Sequence, residues 1–215
     1  MRGAKEREAT GDRRPLASRG TAWAQALARG LLRTPATPNG ISATGILFAA
    51  LGGIAFAFAP EYPWLFLAGA LLVQLRLLCN LLDGMVAVEG GRGSPTGALF
   101  NEIPDRLEDS FLLIGFGYAA GLPELGFVAA LLAVLTAYLR AFGASLGLGQ
   151  DFGGPMAKPQ RMAALTLGGV ASLGEIALFQ TLHVPLVVLA VVVAGTAWTC
   201  VRRIARMARA LEGGR

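Results

Sequence analysis

The 215-residue chain is 54% hydrophobic and only 15% charged, with a mean hydropathy of +0.55. That is too apolar for a soluble domain with a surface to solvate, and it fits an integral membrane protein. The net charge of +5 argues for no nucleic acid here: in so apolar a chain, basic residues set topology and meet anionic lipid or phosphate.

Residues 1–20 are polar and basic and read as a disordered tail. Residues 21–34 read as a short amphipathic helix lying at the membrane interface. Six apolar runs follow, at 41–59, 64–86, 97–120, 124–146, 160–179 and 184–204. Each is long enough to cross about 30 Å of hydrocarbon as a helix. Pro60 and Pro63, the Gly90–Pro95 stretch, Gly121 with Pro123, Gly149–Pro159 and Pro185 punctuate them. A basic C-terminal tail, 205–215, closes the chain. The predicted fold class is therefore an all-α integral membrane protein of six transmembrane helices with an N-terminal interfacial helix, one membrane domain over 21–204. No signal peptide is expected, because the first apolar run begins near Ile41 behind a long basic segment. Cys79 and Cys200 offer no disulfide framework or metal spacing and are read as packing residues.

The basic residues fall on one side. Of the 19 Lys and Arg, eight precede the first run: Arg2, Lys5, Arg7, Arg13, Arg14, Arg19, Arg29 and Arg33. Arg92 and Arg106 lie around the second connection, Arg140, Lys158 and Arg161 around the fourth, and Arg202, Arg203, Arg206, Arg209 and Arg215 at the end. Arg76 alone sits deep in a run, and the connections around Glu61, Glu124 and His183 carry none. The positive-inside rule then puts both termini and the second and fourth connections in the cytoplasm, with the protein in the inner (plasma) membrane. That requires an even number of spans, and six satisfies it.

Polar residues interrupt the apolar pattern at one place. Asn80 and Asp83, spaced i,i+3, end the second run, and Asn101 and Asp105, spaced i,i+4, begin the third. Either spacing sets its pair on one helix face. Two neighbouring antiparallel helices can aim the four at one point, and four converging oxygens suit a hard divalent cation such as Mg²⁺ or Mn²⁺. Carboxylates at a membrane are costly and mark function. Gly84 removes a side chain where a ligand or backbone comes close, and Ala87 keeps the face of Asp83 small. Lys158, Arg161 and Arg140 add cations suited to a second, phosphate-bearing substrate. The composite reads as phosphoryl transfer at a membrane surface, with a metal as Lewis acid and a carboxylate as base.

These residues resemble the CDP-alcohol phosphatidyltransferase family, whose signature is D-x2-D-G-x2-A-R-x8-G-x3-D-x3-D. Asp83, Gly84, Ala87, Gly97 and Asp105 match it with the expected gaps. Thr37-Pro38-Asn39-Gly40-Ile41-Ser42 is similar to the family's entry to its first helix. Asn80, Asn101 and Val88 depart from it, standing where Asp, Asp and Arg belong. The resemblance implies a reaction in which a CDP-lipid, usually CDP-diacylglycerol, gives its phosphatidyl group to a small alcohol and releases CMP. It implies a homodimer, and a site in which four Asp hold two metal ions. Carried over, Asp83 is the firmest metal ligand, Asp105 is both ligand and general base, and Asn80 and Asn101 ligate through amide oxygens. Gly84 and Gly97 line the nucleotide pocket, with Asn39 near the cytidine diphosphate. With two carboxylates replaced by amides, the expectation is one well-held metal, any second ion being weak and dependent on the diphosphate. Arg92, four residues past Val88, is an open substitute for the missing cation.

Plainer readings stand beside these. Asp83-Gly84 could simply end a helix, and Lys158 and Arg161 could only set topology. Arg140 fits snorkelling and acceptor binding equally. Arg76 lies too deep to snorkel and calls for an acidic partner within the bundle. Glu102, Glu108 and Asp109 read as surface charges or outer neighbours of the site, and His183 as an uncatalytic residue of an outer loop. The leading function is phospholipid biosynthesis by metal-dependent phosphatidyl transfer from a CDP-lipid, with the basic trio favouring a phosphorylated acceptor such as glycerol phosphate or inositol phosphate. The competitors are a degenerate, non-catalytic CDP-lipid binder and a small membrane transporter.

Overall fold

Turn chemistry and apolar length dictate the helices. In the computed structural model, which describes residues 20–92 and 95–213 with the side chains of Ala98 and Asn101 set aside, every regular element is a helix. They are α1 (Ala22–Leu32), α2 (Pro38–Phe58), α3 (Leu65–Glu89), α4 (Gly97–Ala119), α5 (Pro123–Ser145), α6 (Lys158–Phe179) and α7 (Val184–Gly213). Thr37 starts α2: its Oγ1 accepts from the Gly40 amide at 3.1 Å, and Pro38 pre-sets the first turn. Pro123 and Pro159 do the same for α5 and α6. The α7 N-terminus borrows its cap from α6, where the Glu175 carboxylate accepts from the amides of His183 and Val184 at 2.8 Å.

Five helices (α2, α3, α5, α6 and α7) are long and apolar enough to cross a membrane. The expected third span, α4, has the length at 23 residues, but its first half carries Glu102, Asp105, Arg106, Glu108 and Asp109. The fold is that of an all-α integral membrane protein with six long helices, as expected. The basic segment 205–213 continues α7 as helix, carrying Arg206 and Arg209 beyond the apolar run. The predicted N-terminal tail lies, up to residue 19, outside the described residues.

The six long helices pack in a closed ring: α2 against α3 and α4, α4 against α5, α5 against α7, α7 against α6, and α6 back against α3. Its core holds Phe56, Phe66, Val73, Leu112, Met162 and Leu189, with Phe56 and Phe116 edge to face at 5.0 Å. Outward faces are apolar too: Leu67, Leu71, Leu131, Leu178 and Val187 are all exposed, as lipid requires of a membrane protein. Small residues permit close approach. At the α2–α4 crossing a methyl group on Gly53 or Gly115 would strike the backbone of the other helix. The interfacial helix α1 buries Ala24 and Ala28 against Ile41, Leu82, Met85 and Val86, beside the segment that carries Asp83.

Candidate active site

The end of α3 and the start of α4 carry the polar residues, but these two helices do not pack along each other as adjacent partners. Helix α2 lies against both, and side chains bridge the gap between them. Gly45 of α2 makes room, since a Cβ there would come within 2.7 Å of Glu108 Oε1. The expectation of two directly packed helices is corrected accordingly.

Asp83 is 5% exposed. Its Oδ2 accepts from Ser42 Oγ at 2.7 Å, while Oδ1 is buried without a hydrogen-bond partner. Such an oxygen is costly in a protein interior unless a ligand satisfies it. Asp105 is the reverse. Its Oδ1 accepts from Asn80 Nδ2 at 2.8 Å and from Arg76 Nη2 at 3.4 Å, and pairs with the Lys158 ammonium. Arg76, wholly buried, also binds Glu108 through Nε and Asp109 through Nη2 at 2.9 Å. The second Asp109 oxygen accepts from Arg161 at 2.9 Å. Asp83 lies within electrostatic reach of Asp105 and Lys158, so these groups form one cluster.

The predicted residues divide among distinct positions. Asn80, Asp83, Asp105 and Lys158 come together in this cluster. The Asn101 side chain lies outside the described residues. Gly84 and Ala87 occupy the last turns of α3, and Gly97 opens α4. Asn39 stands one turn before Ser42 at the head of α2, and so on the same helix face. Arg161 is 1% exposed, its guanidinium held by Asp109 and the Met156 carbonyl at 3.1 Å. Arg140 binds Glu102 and Gln150, with its guanidinium 5.3 Å from the Phe152 ring centroid.

Of the two readings of Glu108 and Asp109, surface charges or outer neighbours of the site, burial favours the second, and they are the partners that Arg76 called for. Arg92 does not replace the missing cation: its guanidinium donates to the carbonyls of Leu32, Thr34 and Ala36, tying the loop after α3 to the end of α1. Glu102 anchors both Arg106 and Arg140. Sequence reasoning missed Ser42 as a partner of Asp83, although its position one turn past Asn39 was a usable signal. Asp109 continues the Asn101–Asp105 face at i,i+4 spacing, as the sequence showed, and that is the face Arg76 meets.

The oxygen chemistry of Asp83 fits a hard divalent cation. Among the described residues no three His, Cys, Asp or Glu side chains gather as a ligand set. An ion at Asp83 would therefore rely on amide oxygen, water or substrate phosphate for its remaining positions.

No family model matches the chain. The phosphatidylinositol phosphate synthase of Mycolicibacterium smegmatis is 32% identical over 173 residues, 77% of this chain and 76% of that protein. Crystal structures of the Mycobacterium tuberculosis phosphatidylinositol phosphate synthase share the fold. The complex with manganese and citrate superposes with a TM-score of 0.71 at 24% identity, covering 86% of this chain and 88% of the other. The form with CDP-DAG bound gives a TM-score of 0.70 at 24% identity, covering 86% and 92%.

Proposed function

The chain belongs to the CDP-alcohol phosphatidyltransferase family, a membrane enzyme of phospholipid biosynthesis that transfers a phosphatidyl group from a CDP-lipid to an alcohol, and we propose that its donor is CDP-diacylglycerol and its acceptor a phosphorylated polyol of the inositol phosphate class. The acceptor oxygen attacks the phosphorus that bears the lipid. The bond from that phosphorus to the CMP phosphate breaks, and CMP leaves with the electron pair. Asp105 receives the hydroxyl proton on Oδ2, the oxygen opposite the one that Asn80, Arg76 and Lys158 engage. Asp83 would hold Mg²⁺ or Mn²⁺, with Asn80 and Asn101 the amide ligands that the family spacing assigns, and the ion when bound would supply Lewis-acid neutralisation of the diphosphate charge. Gly84, Ala87 and Gly97 leave room for the nucleotide, and Asn39 stands at its edge.

The observation that carries this reading is the buried, unpartnered Oδ1 of Asp83, set beside Asp105 at the family's spacing. Arg140, paired with Glu102, and Lys158, paired with Asp105, support an acceptor phosphate, and Arg161 is held by Asp109. The names of the relatives support inositol phosphate as the acceptor, and the manganese and CDP-DAG complexes of the M. tuberculosis enzyme support the metal and the donor. The protein works as a homodimer in the bilayer, with the site and both termini on the cytoplasmic side. The basic residues Arg92, Lys158, Arg202 and Arg206, all at the end of the bundle that bears the site, support that orientation.

CMP release from CDP-diacylglycerol by the purified protein, with Mg²⁺ or Mn²⁺ and a panel of free and phosphorylated alcohols, tests the reading. Release that requires metal, inositol phosphate and Asp105 is expected. CDP-lipid binding without release under any condition would favour the non-catalytic reading, for which the two asparagines speak.

A further inference from the structure

We propose that Glu102 occupies, on the Arg140 guanidinium, the position that the acceptor's phosphate takes, and that the carboxylate yields Arg140 to that phosphate while staying on Arg106. Glu102 is then the residue that reserves Arg140 for phosphorylated acceptors. The inference rests on the acceptor proposed above and concerns how its cation is guarded.

Arg140 stands at the edge of the charged cluster. Glu102 lies three residues before Asp105 on α4 and shares its side of the helix. Arg140 is within electrostatic reach of Arg203, as is Arg161, which the Asp109 carboxylate holds. The connection between α5 and α6 frames the guanidinium: Nη1 donates to Gln150 Oε1, and Cζ lies 5.3 Å from the Phe152 ring centroid. Nη2 turns to Glu102. Gln150 and Phe152 set the guanidinium plane without the carboxylate, which leaves one arm of the fork for an exchangeable anion.

The carboxylate is placed to give way. Its Oε2 meets both Arg140 and Arg106, the latter one turn on in the same helix. Two cations on one acid leave a positive charge over, and among the described residues no other carboxylate pairs with either. The Glu102 side chain is 46% exposed, against 11% for Arg140. Release therefore leaves Glu102 with Arg106 and water, and no charge is buried alone. A phosphate dianion outcompetes a carboxylate for a guanidinium through its charge and its three acceptor oxygens. A neutral polyol brings no charge to the exchange and leaves the pair closed. Specificity then comes from what must be displaced as well as from what is bound.

Calorimetry with inorganic phosphate on the detergent-purified protein tests the exchange without turnover, and the KM for inositol phosphate in the CMP-release assay tests it in the reaction. Glu102→Gln should bind phosphate about fivefold more tightly, the upper end for a half-exposed ion pair, and lower the KM by a similar factor. Arg106→Gln should do the opposite, because Glu102 then rests on Arg140 alone. In Arg140→Gln or Arg140→Met, whichever folds, adding Glu102→Gln should change nothing. A tightening that persists there reflects only the general field of the charge and would overturn the proposal. Weaker phosphate binding in Glu102→Gln would also overturn it, making Glu102 a brace for Arg140. So would phosphate binding by neither the unaltered protein nor Glu102→Gln. The expected phosphate pattern without CMP release from inositol phosphate would remove that acceptor and keep the exchange. CMP release with additive variants would keep the acceptor and remove the exchange.

Discussion

At Gly53 and Gly115 helices α2 and α4 meet backbone to backbone, with Phe56 and Phe116 edge to face beside them; about two turns away, at Gly45 and Glu108, the same helices close around charge. Both regions are buried and both depend on glycine. At the first, glycine lets dispersion contacts form and nothing is left unsatisfied. At the second, glycine makes space for a carboxylate, and buried atoms remain without hydrogen-bond partners: Asp83 Oδ1, Arg76 Nη1, Lys158 Nζ and Arg161 Nε. A region built for stability satisfies itself, whereas a region built for a ligand keeps unmet demand.

The sharpest break in this comparison is Asp105→Asn. It should lower CMP release about 10³-fold or more, the scale of a lost general base, while the melting temperature in detergent stays within a few degrees. A large drop in melting temperature would mean that the polar region is structural after all. Arg76→Met comes next. It leaves Asp105, Glu108 and Asp109 without their shared cation, and breaking a buried pair costs about 3–5 kcal/mol. Denaturation in mixed micelles should register that loss, and adding Glu108→Gln should restore part of it.

Phe56→Ala tests the apolar region. Lipid is as apolar as the core, so only the lost packing counts, about 1–3 kcal/mol, below the soluble-protein range. Turnover per folded molecule should be unchanged. The smallest effect belongs to Arg92→Ala, which removes donors from the carbonyls of Leu32, Thr34 and Ala36. Because the site is partly exposed, about 1 kcal/mol is expected, again with turnover kept. A hundredfold fall in turnover for Arg92→Ala would return it to the role of the missing signature cation.

Much of the molecule was legible before folding. Helix boundaries followed from Pro38, Pro123, Pro159 and the apolar lengths, because backbone hydrogen bonds must be met within the segment in lipid. Asp83 and Asp105 were legible because a carboxylate among leucines stands out against composition. The partners of Arg76 were not. Its need for an acid could be read from depth, but choosing Glu108 and Asp109 required knowing which face of α4 turns inward, and α4 meets α3 only through side chains. The role of Arg92 was illegible for a related reason: it depends on where α1 ends in space, which no local pattern records.

The sequence by itself determined that the chain lives in a membrane, that its six long helices start within a few residues of the apolar runs, and that one end carries a metal-and-phosphate chemistry. These follow from local rules of solvation, capping and spacing, each of which acts within a few turns of helix. Only the tertiary structure decided how the charges are shared: that Lys158 and Arg76 converge on one oxygen of Asp105, that Arg161 serves Asp109, and that Asp83 is left with an open oxygen. Pairing in a low-dielectric interior depends on distances of a few ångströms between residues far apart in the chain, and those distances exist only once the ring of helices has closed.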